Sequence, residues 1–259
     1  MTFLYLFMSA LIAGTAYLAK LLTSSGAVTA VFFGWLLFLL APWPAWLAVG
    51  FFFLSGGILG YFAKDTIAEK GNRRDGWQVC ANLLPSLLSL LLYQATQQPL
   101  FLGGFFGGLS GATADTWASE IGRLSLATPY YILSHKPAQT GLSGGVTWLG
   151  SIAGFFGAFF LTLLTWCCFW LRGETFTAGW FWSLVFIGLA AMFVDSLLGE
   201  MLQVKYRCSV CGQLTERKKH HQQPTQYVRG LPWLNNDGVN FLSLTVAVLL
   251  TWLLQINFL

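Results

Sequence analysis

The chain has 259 residues, of which 56% are hydrophobic and only 9% charged, against roughly a quarter charged in an ordinary soluble domain. Its 14 Lys and Arg and 10 Asp and Glu leave a net charge of +4. A soluble fold of this length has too little interior to hide so much apolar surface, which excludes a soluble globular enzyme and points to a polytopic membrane protein.

Apolar windows follow one another at Thr2–Ala19, Gly26–Ala41, Ala45–Ala63, Trp77–Tyr93, Leu100–Ala114, Gly144–Leu171, Ala178–Leu198 and Val239–Leu254. Most approach the ~20 residues that a helix needs to cross the hydrocarbon. Gly26–Ala41 is short, and Trp77–Tyr93 carries Asn82 and Pro85; proline is tolerated in a spanning helix when neighbours satisfy the freed carbonyl. The first window has no basic region before it and no small-residue cleavage site after it, so it is expected to stay. The expected architecture is all-α, a bundle of about eight transmembrane helices forming one integral membrane domain over residues 1–259. Residues 201–234 are expected to form a basic cytoplasmic loop.

Basic residues fix the orientation. Lys20, then Lys64, Lys70, Arg73 and Arg74, then Arg123 and Lys136, then Lys205, Arg207, Arg217, Lys218, Lys219 and Arg229 all follow odd-numbered spans, and only Arg172 follows an even one. Both termini are therefore expected outside, with the basic loops inside, in a bacterial cytoplasmic membrane.

Five acids, Asp115, Glu120, Asp195, Glu200 and Asp237, sit within or beside apolar windows, where a carboxylate costs several kcal/mol unless paired or solvated. On this topology all five fall near inward helix ends, which describes a pocket open to the cytoplasm rather than a midplane ion path. Snorkelling to the interface or pairing with Lys and Arg is the alternative. Asp115-Thr-Trp-Ala-Ser-Glu120 and Asp195-Ser-Leu-Leu-Gly-Glu200 share a pattern. Each precedes a basic loop and then an expected helix start, Ser143-Gly144-Gly145-Val146-Thr147 and Asn236-Asp237-Gly238-Val239-Asn240, and a third start opens at Ser25-Gly26. The chain thus reads as repeated helical hairpins of one orientation. Unpaired N–H groups at such starts receive anions, although each of Ser25, Ser143 and Asn236 can equally be a plain N-cap. Carboxylates that hold Mg²⁺, beside lysines and helix N-termini, suit a magnesium-bound nucleotide or lipid phosphate.

Glycines recur four apart at Gly103, Gly107 and Gly111, at Gly104 and Gly108, and at Gly150 and Gly154, a spacing that lets helices approach closely in lipid. The cysteines do not form a disulfide framework. Cys208-Ser-Val-Cys211-Gly, followed by His220 and His221, has the spacing of half a zinc site. Two thiolates and one or two imidazoles would complete a structural Zn²⁺ tetrahedron; a reduced, metal-free pair is the alternative.

Taken together, these stretches resemble the integral membrane proteins of domain of unknown function 92, which include transmembrane protein 19 and the phytyl-phosphate kinases. The resemblance rests on Ser25-Gly26-Ala27, Arg74-Asp75 with Trp77-Gln78-Val79 and Asn82, Asp115-Thr116 with Ala118-Ser119-Glu120 and Gly122, Lys136 through Thr147, Asp195 to Gly199 with Gln203, and Asn235-Asn236-Asp237 with Val239-Asn240. It implies a kinase that extends an isoprenyl (phytyl or related prenyl) monophosphate to the diphosphate with Mg²⁺ and a nucleoside triphosphate, CTP or ATP. In the roles this implies, Asp115, Glu120 and Asp195 hold metal. Lys136, Arg74 and the Gly144-Gly145 segment hold phosphates, aided by Ser25, Gly26, Ser143, Thr147, Asn236 and Asn240. Asp237 is a further ligand or anchors the helix of Asn240. A polyprenyl-phosphate transporter or binding protein, and a CTP-dependent nucleotidyltransferase, remain the alternatives. Partners are the membrane lipid, the isoprenyl phosphate and the nucleotide, and no nucleic acid is expected. Relatives are expected to carry a further Cys where this chain has Gln222 and Gln223.

Overall fold

The computed structural model describes residues 2–62, 73–174 and 176–255; Lys64 and Lys70, used above for orientation, lie outside them. Every apolar window becomes a helix: α1 (Thr2–Leu18), α2 (Ser24–Leu40), α3 (Trp43–Phe62), α4 (Gly76–Thr96), α5 (Pro99–Gly122), α6 (Trp148–Leu171), α7 (Ala178–Met201) and α8 (Asn236–Gln255). Among the described residues, α3, α4, α6, α7 and α8 are long and apolar enough to cross a membrane, whereas α1 and α2 have 17 residues each. The 24 residues of α5 would reach, but glycines, hydroxyls and two acids dilute their apolar character.

That dilution has a packing cause. All side chains from Gly103 to Ala114 are buried, because α5 runs through the middle of the bundle against α3, α4, α6, α7 and α8. The approach to α6 is closest. A Cβ on Gly150 would stand 2.8 Å from the Ala118 carbonyl oxygen, one on Gly154 3.0 Å from that of Ala114, and one on Gly157 3.1 Å from that of Thr113. Backbone therefore packs on backbone along three turns of α6. Around this contact Phe105, Phe106, Leu109, Leu161, Phe169 and Leu184 close the apolar core.

Helix starts are set by side-chain caps, and these differ from the expected ones. Thr23, not Ser25, caps α2 by accepting from the Gly26 N–H (3.2 Å). Thr147, not Ser143, caps α6 by accepting from Gly150 N–H (3.0 Å). Asp75 and Gln78 form a capping box at α4, and the Asn235 side chain accepts from Gly238 N–H (3.0 Å) at α8. Gly144-Gly145 is therefore no helix start: Gly144 has φ +93°, and β2 (Gly145–Val146) pairs antiparallel with β1 (Tyr130–Tyr131). A Cβ on Gly144 would press into the Gly199–Glu200 backbone, which fastens this loop to the end of α7.

The all-α expectation needs a second correction. The basic segment after α7 folds into an antiparallel four-stranded sheet, β3 (Lys205–Cys208), β4 (Leu214–Thr215), β5 (Lys219–His220) and β6 (Gln223–Arg229), in the order β4-β3-β6-β5. Its strands are short and mostly solvent-facing, so they carry no sustained alternation that would announce them. What docks the sheet is Lys205, fully buried, whose Nζ donates to the Ser143 carbonyl (3.0 Å) and to Glu216 Oε1 (2.5 Å). Burial holds this ammonium below the ordinary lysine value against the pull of Glu216. Desolvation thus outweighs the pairing, and the ion pair supplies position more than net stability.

Two predictions follow from these contacts. Gly150→Ala and Gly154→Ala should each lower thermal stability in detergent by about 1–3 kcal/mol for overpacking, overriding the ~1 kcal/mol that alanine gains in a helix. Gly50→Ala, whose Cβ would meet nothing within 4 Å, should not. Lys205→Met should destabilise by about 1–3 kcal/mol, below the ~3–5 of a fully buried pair, because 21% of the Glu216 side chain stays in water. Combining it with Glu216→Gln should recover part of the loss in a double-variant cycle.

Candidate functional site

A cavity of about 400 Å³ opens at one end of the bundle, between the C-terminal ends of α3, α5 and α7 and the N-terminal ends of α4, α6 and α8. Of the residues singled out in the sequence, Arg74, Asp115, Glu120, Ser143, Gly144, Gly145, Thr147, Asp195, Asn236 and Asn240 line it. Asp115 lies seven residues before the end of α5 and Asp195 six before the end of α7. At 1.5 Å per residue both stand about 10 Å inside the helix ends, at the floor of the cavity rather than its rim.

The charges in this cavity are arranged in two tiers. At the floor, Asp115 and Asp195 lie within electrostatic reach of each other, and Asp195 Oδ2 accepts a hydrogen bond from Ser243 (3.2 Å). Above them, Glu120 pairs with Arg123 (3.3 Å) and faces Arg74. The Arg74 guanidinium rests over the rings of Phe52 and Phe53, 5.1 and 5.5 Å from their centroids. Gly56 makes room for it, since a Cβ there would strike the guanidinium.

Ser143 ties the mouth together. Its N–H donates to Glu216 Oε1 (2.7 Å), its carbonyl accepts from Lys205, and its hydroxyl donates to Asn236 Oδ1 (3.0 Å) and accepts from Gln203 Nε2 (3.2 Å). Gln203 Oε1, on the cavity wall, is buried with no hydrogen-bond partner among the described residues.

Five residues expected at the site lie elsewhere. Lys136 is exposed in the turn after β1, where its carbonyl accepts from Tyr131 N–H (2.9 Å). Ser25 and Gly26 clasp the start of α4: Ser25 Oγ accepts from Gly76 N–H (3.3 Å), and the Arg74 carbonyl occupies the space of a Gly26 Cβ. Asp237 sits in the first turn of α8, outside the lining. Glu200, the partner of Glu120 in the sequence pattern, grips the turn after β1, accepting from Leu133 N–H (3.0 Å) and Ser134 N–H (2.9 Å).

Conversely, Arg123, Gln203, Glu216 and Arg217 reach the cavity with no role assigned from sequence, as do Gln78 and Asn82. Gln78, Asn82 and Gln203 stood in the matched stretches. In the sequence Arg123 and Arg217 mark orientation alone, and Glu216 carries no local signal because a folded sheet delivers it.

Two groups of side chains have the chemistry of metal sites. At the floor, two carboxylates with the neighbouring Thr116 and Ser196 are all hard oxygen donors lining one cavity, a set that suits Mg²⁺ and not a thiophilic ion. Glu120, held by Arg123, belongs to the upper tier. In the sheet, the ligand atoms of Cys208, Cys211, His220 and His221 all lie within 4.8 Å of one another, the one such group of three or more among the described residues. The N–H groups of Cys211 and Val210 point at the Cys208 sulfur and bring its thiol down to about 7. All five cysteines are free thiols.

The chain has relatives among known proteins. It is 32% identical over 158 residues to Protein PGR of Arabidopsis thaliana, covering 58% of this chain and 53% of that one. It is 26% identical over 245 residues to an uncharacterized membrane protein of Synechocystis sp., covering 88% and 82%. It is 25% identical over 262 residues to Protein VTE6, chloroplastic, of Arabidopsis thaliana, covering 93% and 68%. The match to PGR spans about half of that protein, and the match to an uncharacterized membrane protein of Methanocaldococcus jannaschii spans 64% of it. No solved structure matches. The family model of Integral membrane protein DUF92 matches residues 7–248, and the chain therefore belongs to that family.

Proposed function

We propose that this protein is an isoprenoid monophosphate kinase, which transfers the γ-phosphoryl group of a nucleoside triphosphate to a phytyl or related prenyl monophosphate. The observation that carries the reading is the two-tier cavity, with facing carboxylates at its floor and Arg74, Arg123 and Arg217 on its walls. Acids alone repel phosphates and arginines alone bind them without metal; the combination fits a nucleotide with its cation. The resemblance to phytyl-phosphate kinases points the same way, and VTE6 is among the similar proteins.

In this reading Asp115 and Asp195 would hold Mg²⁺. Bound there, the ion supplies charge neutralisation for the β- and γ-phosphates. Arg123 and Arg217 hold the nucleotide phosphates, and Arg74, pressed between aromatic rings and Glu120, orients the acceptor phosphate. An acceptor oxygen forms a bond to the γ-phosphorus while the bond from that phosphorus to the β–γ bridging oxygen breaks, releasing the nucleoside diphosphate. The acceptor is already ionised, so no covalent enzyme intermediate and no strong base are needed, and catalysis is positioning and electrostatics. The cavity faces the cytoplasm, all eight helices span, both termini are outside, and the prenyl chain stays in the adjoining leaflet.

Purified protein in detergent, given prenyl monophosphates, CTP or ATP and Mg²⁺, should form prenyl diphosphate detectable by mass spectrometry. Asp115→Asn and Asp195→Asn should each cut turnover at least 100-fold, about 3 kcal/mol of barrier. Glu174→Gln, at the opposite end of the bundle and paired only with Arg172 among the described residues, should stay near wild type. Folded Asn variants that keep more than about a third of the turnover, under ~1 kcal/mol, would show these carboxylates to be structural. Lipid movement across liposomes without nucleotide consumption would instead make the protein a transporter.

Orientation has its own check. Cysteines introduced at Gln98, which precedes α5 at the far end, and at Lys218 in the sheet should label with an impermeant reagent from opposite sides of the membrane. Labelling of both from one side overturns the topology.

A further inference from the structure

We infer that Cys208, Cys211, His220 and His221 form a structural Zn²⁺ site that staples the two hairpins of the extramembrane sheet and thereby holds Glu216 and Arg217 at the cavity mouth. The assignment of the ion does not rest on the kinase reading, in which Arg217 holds nucleotide phosphates. Its ligands come as two pairs from two turns. Cys208 ends β3 and Cys211 lies in the turn to β4, while His220 ends β5 and His221 opens the turn to β6.

Three observations converge on a bound cation. The first is distance: a tetrahedron with Zn–S of about 2.3 Å and Zn–N of about 2.0–2.1 Å has edges of roughly 3.3–3.8 Å. Cys211 Sγ and His220 Nδ1 are 3.6 Å apart, and all four ligand atoms lie within 4.8 Å. The second is the turn that carries the thiols. Val210 N–H donates to Cys208 Sγ (3.4 Å), and Gly212, at φ +71°, closes the turn with its N–H on the Cys208 carbonyl (3.0 Å). The turn thereby folds Cys211 back beside Cys208, with both sulfurs next to the histidine pair. The third is backbone conformation. His221 and Gln222 have φ of 51° and 61°, and they join β5 to β6 across the His220–Gln223 pair. A two-residue hairpin with both φ positive is normally built from Asn-Gly or Gly-Gly. A histidine and a glutamine there are conformationally costly, and what the turn gains is the His221 ring 4.2 Å from that of His220 and beside the two thiols. Zinc rather than Mg²⁺ follows from sulfur and nitrogen donors, and four protein ligands leave no open position for catalysis.

The consequence for the cavity is topological. Residues 212–219 connect the cysteine turn to the histidine pair, and Glu216 and Arg217 lie in the middle of that connection. With both ends fixed on one ion, the connection becomes a short closed loop whose tip rests on Lys205 and Ser143.

Wild-type protein purified without chelators should contain one zinc per chain by plasma mass spectrometry. Removing it with a strong chelator should make Cys208 and Cys211 alkylate at least tenfold faster and should accelerate trypsin cleavage at Arg217, Lys218 and Lys219, both reversed by Zn²⁺. Cys208→Ser and His221→Ala should lose at least nine-tenths of the metal, while Cys167→Ser, on the exposed side of α6, keeps it. Less than a tenth of an equivalent of zinc in wild type, with no uptake of added Zn²⁺, overturns the inference. So does one equivalent of a different metal, or zinc removed by the chelator with no change in the alkylation rate of Cys208 and Cys211. Because the decisive measurements use the unaltered protein, a variant that fails to fold does not rescue or sink the idea.

Discussion

Everything in this molecule is arranged around a helix with almost no side chains to spare. From Gly103 to Ala114, α5 is buried on all faces, and its neighbours reach it by giving up their own side chains, as α6 does at Gly150, Gly154 and Gly157. In lipid there is little hydrophobic gain from pressing apolar helices together, so close van der Waals fit has to hold the bundle. The same tightness serves the cavity: a helix held by five neighbours cannot tilt, and Asp115, one residue beyond the buried run, is delivered to a fixed place opposite Asp195.

Burial of charge is managed by grouping. Acids and arginines that would each be expensive alone among apolar helices share one water-accessible cavity, where Glu120 is balanced by Arg123 and faced by Arg74. Lys205 is the exception, enclosed completely and paired at a cost. Such a pair specifies an arrangement even where it adds little stability, because misdocking the sheet would leave an ammonium in an apolar setting with no partner.

The helices were legible because length and hydropathy alone define them, and all eight windows became helices. The acids were legible for the complementary reason, that a carboxylate in an apolar run stands out against its surroundings. Boundaries and partners were harder. The expected fifth span stopped at Ala114 because Asp115 ended the apolar run, yet α5 continues to Gly122 with the polar residues facing the cavity. Ser143-Gly144-Gly145 looked like a helix start by composition, but a turn at Gly144 and the short strand Gly145–Val146 intervene and Thr147 caps instead. Lys136 was close in sequence to the right place and points elsewhere, while Glu216 and Arg217, far from the acids in sequence, arrive on a sheet whose short exposed strands left no periodic trace. The cysteine and histidine spacing was readable as a pair of halves; only the fold shows that the halves meet.

Ser143 joins the membrane helices to the sheet through its main chain as well as its hydroxyl. Of its links to Glu216, Lys205, Asn236 and Gln203, the first two run through its own amide and carbonyl. Main-chain groups are carried by every residue type except, for the amide, proline. On the loop side of the joint, the groups that meet Lys205 and Glu216 are therefore backbone, and a change of side chain at this position would leave those two links standing. Drift at this one position can therefore pass without parting the loop from the sheet, provided that Lys205 and Glu216 keep their side chains.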